Sequence, residues 1–350
     1  MKKKLANLLF MVTVALQATA QITILSMDDV KKSEPIDELV FRAQYELKMV
    51  EDTTKTDCQP NSETMMLEVG KKCSQFYSYT TYLRDSTLIA DYANKVSQDI
   101  LQQHAKAYGN GRITYRIYKN YPTGKVTTLD RLATSNFRCE EKNEKPVWTL
   151  LSDTATILTY HCRKATCHFR GRSYTAWFTM EIPVSEGPWK LCGLPGFIIK
   201  AEDARGHYSF ECTGIEQSDE SKPLLFNGKG SESISRRDLN KVYERYAKDP
   251  VGFITSTAPN VKLTVKDEQG NALTNFELPY NPIELSEKEQ DENSNHSLFV
   301  ELFVSYSNKR TKHDRGTGNG QSYPSAFGIC YRHFATGRGW QYHQLYFDRC

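Results

Sequence analysis

Apolar and polar residues alternate without a break from Phe41 to Met49, which puts Phe41, Ala43, Tyr45, Leu47 and Met49 on one side of an extended chain. A period of two marks a strand with one buried face. The same pattern predicts a hairpin of strands 64–69 and 73–80 around Gly70, then strands at 112–118, 125–131, 147–151, 154–162, 166–170 and 173–182. Further strands are expected at 197–202 and 207–213, joined by the Asp203-Ala-Arg-Gly206 turn, and at 261–266 and 275–278. Leu88, Tyr92, Val96 and Ile100 recur at helical spacing, so one long helix is predicted over 85–108, with Asp85 or Ser86 as N-cap and Gly109 at its end. A shorter helix is predicted over 235–248. There Ser235 and Asp238 resemble a capping box, Leu239, Val242, Tyr243 and Tyr246 supply the apolar side, and Pro250 stops the run.

Short strands joined by short turns favour antiparallel pairing. The expected fold is mainly β (α+β): a curved antiparallel sheet, sandwich-like or half-barrel, with one long covering helix and one short peripheral helix. A single domain is expected over 41–285, after a lead-in at 21–40. From Ser286 the chain turns acidic, passes a short apolar patch at 298–304, and becomes rich in Gly, basic and aromatic residues to Cys350. That tail has no sustained period, and poor order is expected after about Asn308.

One stretch breaks the strand pattern. Gly187-Pro-Trp-Lys-Leu-Cys-Gly-Leu-Pro-Gly196 cannot be helical, because each proline fixes its own φ and disfavours helix for the residue before it. The structural motif is carried by Gly187, Pro188, Gly193, Pro195 and Gly196. Leu194-Pro-Gly-Phe197 has the chemistry of a type II turn, which would place Gly196 at positive φ. On the strand before this corner, Tyr174, Ala176, Phe178, Met180 and Ile182 are expected to face the core, with Trp177 and Thr179 on the other side.

Cys162-Arg-Lys-Ala165, Gly171-Arg172, Ala176-Trp-Phe-Thr179, Glu181-Ile-Pro183, Gly187-Pro-Trp-Lys190 and Gly193-Leu-Pro-Gly196 together resemble the GLPGLI family of secreted Bacteroidota proteins. Gly70-Lys-Lys-Cys-Ser-Gln-Phe-Tyr-Ser78 and Asn281-Pro-Ile-Glu284 extend the resemblance over most of 41–285. The resemblance implies an envelope location and a β-rich fold, with no agreed activity or catalytic residue. The tail departs from the family pattern, which usually ends soon after the Asn-Pro-Ile-Glu element.

Composition adds an address. Lys2, Lys3 and Lys4 precede an apolar run from Leu5 to Leu16, and Ala18-Thr-Ala20 offers small residues before Gln21, so 1–20 reads as a secretory signal peptide. The run is too short to span a bilayer, and no transmembrane helix is expected in the mature chain. The 45 basic and 42 acidic residues give a net charge of +3; removing the three leading lysines leaves 42 against 42. A neutral mature chain gives no footing for nucleic acid. In an exported protein the nine cysteines are expected to form disulfides, with at least one thiol left over.

Candidate chemistry is sparse. His161-Cys162-Arg-Lys-Ala-Thr-Cys167-His168 offers Cys162, Cys167 and His168 as weak metal candidates, but alternation points neighbouring ligands to opposite faces, so a disulfide or buried-thiol role is preferred. No nucleophile elbow, zinc-protease motif or phosphate loop occurs, and no cofactor is expected. Glu202 and Asp203 read as a solvated turn. The corner could be a core cap or the aromatic lip of a groove formed by Trp177, Trp189, Leu194 and Phe197. The expected function is a non-enzymatic exported module of the periplasm or envelope that binds another component, such as an outer-membrane transporter. The alternative is a carrier of an apolar or metal ligand inside the curved sheet, with a hydrolase third.

Overall fold

The computed structural model describes residues 33–55, 58–107, 112–133, 135–217, 222–257 and 276–285. It also gives the backbone of the short strands Val12–Thr13, Thr23–Ile24, Leu263–Lys266, Ala272–Leu273 and Glu301–Val304. The expected signal peptide, apart from Val12–Thr13, and the expected loss of order after Asn308 lie outside these residues.

The main sheet contains β1 (Glu34–Met49), β2 (Asn61–Gly70), β3 (Ser74–Ser78), β4 (Arg116–Lys119), β5 (Lys125–Leu132), β6 (Ser135–Lys142), β7 (Thr149–Ile157), β8 (Tyr160–Phe169), β9 (Arg172–Thr179), β10 (Phe197–Asp203), β11 (Tyr208–Gln217), β12 (Pro223–Phe226) and β13 (Glu232–Ser233). Its order is β13-β6-β5-β4-β3-β2-β1-β11-β10-β9-β8-β7, with β12 pairing a second part of β1. Every pairing is antiparallel except that of β13 with β6. The expected mainly-β antiparallel architecture is therefore what the chain adopts, as a large open sheet and not a closed barrel.

The sheet is strongly curled. Phe76 on β3 and Phe210 on β11 are three strand spacings apart in the ladder, roughly 14 Å on a flat sheet. Their ring centroids nevertheless lie 6.1 Å apart. Glu141 on β6 and Arg170 at the end of β8 are nine spacings apart, roughly 43 Å if flat, yet Arg170 Nη1 lies 2.5 Å from Glu141 Oε1. Among the described residues, side chains and no backbone ladder join the two margins.

The alternation predicted for 41–49 holds, with Phe41, Ala43, Tyr45, Leu47 and Met49 all buried in the concave core. It fails at the end of β9. Thr179 is buried like its neighbour Phe178, and Met180, just past the strand, is 54% exposed, contrary to the expected faces; here the partner strand β10 carries an extra residue, Ile199, between the pairs Trp177–Lys200 and Phe178–Ile198. The predicted strand 154–162 is in fact broken by a tight turn at Leu158 and Thr159, both in the left-handed region at φ 51° and 75°. Neither is a residue that announces such a turn.

The helices also differ from expectation. Instead of one long helix there are two, α1 (Tyr79–Ala93) and α2 (Gln98–Ala107), separated by a turn in which Lys95 has φ 53°. Leu88 is buried, whereas Val96 falls in the break and Ile100 is exposed. Half of the expected capping box is present at α3 (Arg236–Lys248): the Ser235 hydroxyl accepts from the Asp238 amide at 3.1 Å and donates to the Asp238 carboxylate at 2.7 Å. Pro250 ends that helix and also opens another, α4 (Pro250–Thr257), because its missing N–H costs nothing in a first turn. Residues 276–285, partly predicted as a strand, cross the open end of the curl without joining a ladder. This strap is tied by Leu278 N to Ala247 O at 2.7 Å and by Leu285 N to Arg170 O at 3.0 Å.

Candidate functional site

The corner between β9 and β10 folds into the concave face. Tyr45 donates its hydroxyl to Ile198 O at 2.6 Å, and Phe197 packs edge-on against Phe41 with centroids 5.5 Å apart. Lys119 Nζ donates to Gly187 O at 2.7 Å, fastening the start of the corner to β4. The expected type II turn is not formed. Positive φ falls on Gly193, at 92°, and not on Gly196. Gly196 is required for another reason: a Cβ there would overlap the carbonyl of Thr179 on the preceding strand. Trp189 has φ 51°, an unusual conformation for a bulky residue. It is held by Phe169 and Tyr174, with ring centroids at 5.9 and 6.0 Å.

The next residue, Lys190, reaches the seam. Its Nζ lies 2.8 Å from Glu141 Oε2 and 2.5 Å from Glu284 Oε1. Arg170 contacts the same two carboxylates, at 2.5 and 3.0 Å. Arg236 of α3 adds 2.8 Å to Glu141, and its Nη2 also donates to Thr128 Oγ1 at 3.0 Å. Three cations thus share two carboxylates. Burial alone would raise both carboxyl groups, but Lys190 and Arg236 outweigh it and hold Glu141 and Glu284 below the ordinary carboxylate range. Burial wins for Lys190, which is lowered despite Glu284. Beside this cluster Arg172 pairs with Asp203 at 2.7 Å and donates to Asn281 Oδ1 at 2.8 Å. Asp203 is therefore a buried anchor of the hairpin and not a solvated turn residue, although it does accept the His207 and Tyr208 amides, at 2.7 and 2.9 Å.

Between strap, α3, the β4–β5 region and Trp189 lies a cavity of about 220 Å³. Its wall is mainly apolar and aromatic, including Met49, Ile113, Ile117, Leu132, Trp189 and Leu278. Five tyrosines contribute: Tyr115, Tyr208, Tyr243, Tyr246 and Tyr280. Asp130 is buried in the wall, where its carboxylate accepts from Thr114 Oγ1 at 2.6 Å, from the Arg131 amide at 2.8 Å and from the Tyr243 hydroxyl. Burial outweighs these bonds and raises its pKa above the ordinary 3.8. The lining contains no serine, cysteine or histidine.

The residues singled out in the sequence are only partly brought together. Trp189, Leu194 and Phe197 are buried, and of these Trp189 alone reaches the cavity wall. Trp177 is half-buried on the other face, with Lys164 Nζ 5.6 Å from its ring centroid. A bulge between Arg163 and Ala165 turns Cys162 and Cys167 to the same buried side, while His168 is exposed and 3.3 Å from Ser173 Oγ. Those three do not converge, and the seven described cysteines are all free thiols, so the buried-thiol reading applies to Cys162 and Cys167 and no disulfide joins them. Sequence reasoning missed Asp130, Glu141 and Tyr115, which fall on no motif. Lys190 and Glu284 were visible only as letters in separate motifs whose meeting point is the seam.

No helix among the described residues is long and apolar enough to cross a membrane. Residues 170–200 match the profile of a family described as "Protein of unknown function (Porph_ging)". No curated protein matches the chain. Among solved structures, PNGF-II in P21 and C2 space groups aligns at 12% and 14% identity, with TM-scores of 0.39 and 0.38. Each alignment covers 66% of this chain and 35% of the PNGF-II chain. No fold and no activity is carried over from that likeness.

Proposed function

We propose that this protein is a non-enzymatic, exported binding module of the cell envelope, of the GLPGLI type, that holds a small and mostly apolar ligand under the strap. The observation that carries this reading is the cavity of about 220 Å³ on the concave side of the sheet, under the strap. A preformed space whose exposed wall is mostly apolar is the usual character of a small-ligand site. The left-handed Trp189 in its wall adds support, because backbone strain of this kind persists only where surrounding structure enforces it.

Calorimetry with indole as probe tests the site. Wild type is expected to give saturable heat, and Leu278→Trp, which fills the space from the strap, is expected to abolish it while unfolding stays cooperative. Heat that survives Leu278→Trp would remove the cavity from the account. Export is tested separately by fractionation and N-terminal sequencing, with a mature start at Gln21 expected.

A second reading rests on β7. It is an edge strand with one neighbour, and Val147 and Leu150 beside and within it are 86% and 46% exposed. Such an edge can accept an added strand from an envelope partner, for example an outer-membrane transporter. Leu150→Lys should then abolish capture of that partner without altering the heat of indole binding.

A further inference from the structure

Helix α3 meets the cavity along one stripe. Arg236, Asn240, Tyr243 and Ala247 recur at spacings of four, three and four, and all of them line the space. Most polar groups around that stripe already have partners. Tyr243 donates its hydroxyl to Asp130, which also accepts from Thr114 Oγ1 at 2.6 Å. Arg236 Nη2 lies 2.8 Å from Glu141 Oε2 and donates to Thr128 Oγ1 at 3.0 Å. On the strap side, Tyr208 donates to Asn281 O at 2.5 Å. The Asn281 amide is used at both ends, accepting from Arg172 at 2.8 Å and donating to Val50 O at 2.6 Å. The Tyr115 hydroxyl has no partner among the described residues, but it is buried and out of an occupant's reach.

Asn240 differs from all of these. It is half-buried, its side-chain amide enters no hydrogen bond with a described residue, and its amide oxygen and nitrogen both keep accessible surface. Such a group holds out an acceptor oxygen beside N–H donors. A ketone can answer only the donor, and a hydroxyl meets one end at a time. A second amide with its carbonyl and N–H on one edge answers both ends at once.

The rest of the exposed wall is mostly apolar and includes Leu278 and Pro279 of the strap, so the remainder of the occupant is apolar. An apolar cavity of roughly 150 Å³ accepts benzene. About 220 Å³ has room for a ring and an amide.

Resting on the cavity reading above, we infer that the site takes a small apolar molecule bearing a primary amide or lactam, and that Asn240 recognises the amide. An Asn240 N–H donates to the carbonyl oxygen of the ligand, and the ligand N–H donates to the Asn240 carbonyl oxygen. Benzamide supplies ring and amide together. Acetophenone keeps the ring and carbonyl without a donor, and toluene has the ring alone. Asn240→Leu removes both polar ends at nearly constant bulk.

The test is calorimetry of these three probes against wild type and Asn240→Leu, with the indole heat of wild type as reference. Wild type is expected to bind benzamide about tenfold more tightly than toluene, the range of two neutral hydrogen bonds, with acetophenone between them. Asn240→Leu is expected to weaken benzamide about tenfold and leave toluene unchanged. Thermal unfolding checks that the variant folds, and the order of the probes in wild type is read without it. If benzamide binds wild type no more tightly than toluene, or equally in both proteins, the amide inference fails while saturable indole heat keeps the cavity reading. Acetophenone binding as tightly as benzamide would overturn the two-point pairing. If neither indole nor any other probe binds wild type, both readings fall together.

Discussion

The concave face of this sheet is covered in two ways. Over the middle, the corner presses Phe197 onto Phe41 and Tyr45, and the contact is apolar apart from the Tyr45 hydroxyl bond. At the seam, Lys190, Arg170 and Arg236 hold Glu141 and Glu284, and the strap is carried over the opening by that cluster. The apolar cover fills its space, since dispersion and burial reward close packing whatever the direction. The ionic cover has fixed distances and directions, and beside it the cavity stays open. One sheet therefore has a region built for stability and a region where an opening is tolerated.

The comparison is broken most severely by Phe197→Ala. Loss of a fully buried ring should cost about 3–5 kcal/mol, read by urea unfolding, and the loss should be the same at low and high salt. Next comes the seam. Glu284→Gln leaves three cations with Glu141 alone and should cost about 3 kcal/mol. Lys190→Met leaves two cations with two carboxylates and should cost under about 1 kcal/mol, because the remaining pairs are balanced. Equal losses for Glu284→Gln and Lys190→Met would show that charge balance does not govern the cluster.

Acid sharpens the contrast further. Glu141 and Glu284 have folded pKa values below the ordinary 4.5, so their contribution is complete above that value and is lost as the pH falls through the folded values. Asp130 acts with the opposite sign, since its raised pKa makes ionisation a cost that acid relieves. The stability gap between wild type and Glu284→Gln should therefore narrow as the pH drops below about 4.5, whereas the gap for Phe197→Ala should not. A gap for Glu284→Gln that stays constant to pH 3 would refute the ionic account.

The smallest effect is chemical. Burial pushes the Cys167 and Cys212 thiols up to about 12. In native protein at pH 8, alkylation followed by peptide mass spectrometry should find both unmodified and the half-buried Cys58 modified first among the seven described cysteines. Fast labelling of Cys167 would mean that the β8 face opens readily.

Several features were legible along the chain. The unbroken alternation of 41–49 gives β1 its buried face, the Ser235 and Asp238 pair caps α3, and the prolines of the corner exclude a helix. Others were hidden because their cause is remote. The turn at Leu158 and Thr159 carries no Asn-Gly signal, and the shift after Trp177 depends on pairing with β10. The predicted long helix failed at Val96, where spacing alone could not reveal the turn that divides α1 from α2. Trp177, favoured for a groove because it leaves the core face, has no part in the cavity wall. Tyr115 and Asp130, which do, looked like ordinary strand residues.

The sequence by itself determined which local segments would be extended, which would be stiff, and which faces would seek burial, because those follow from φ preferences and the period of apolar residues. Tertiary structure alone decided that the sheet curls until its margins meet, and that Lys190, Arg170, Arg236, Glu141 and Glu284 share one cluster. It also decided that Tyr115 and Asp130 line one cavity. Such facts depend on contacts between residues far apart in the chain, and neither spacing nor propensity contains those distances.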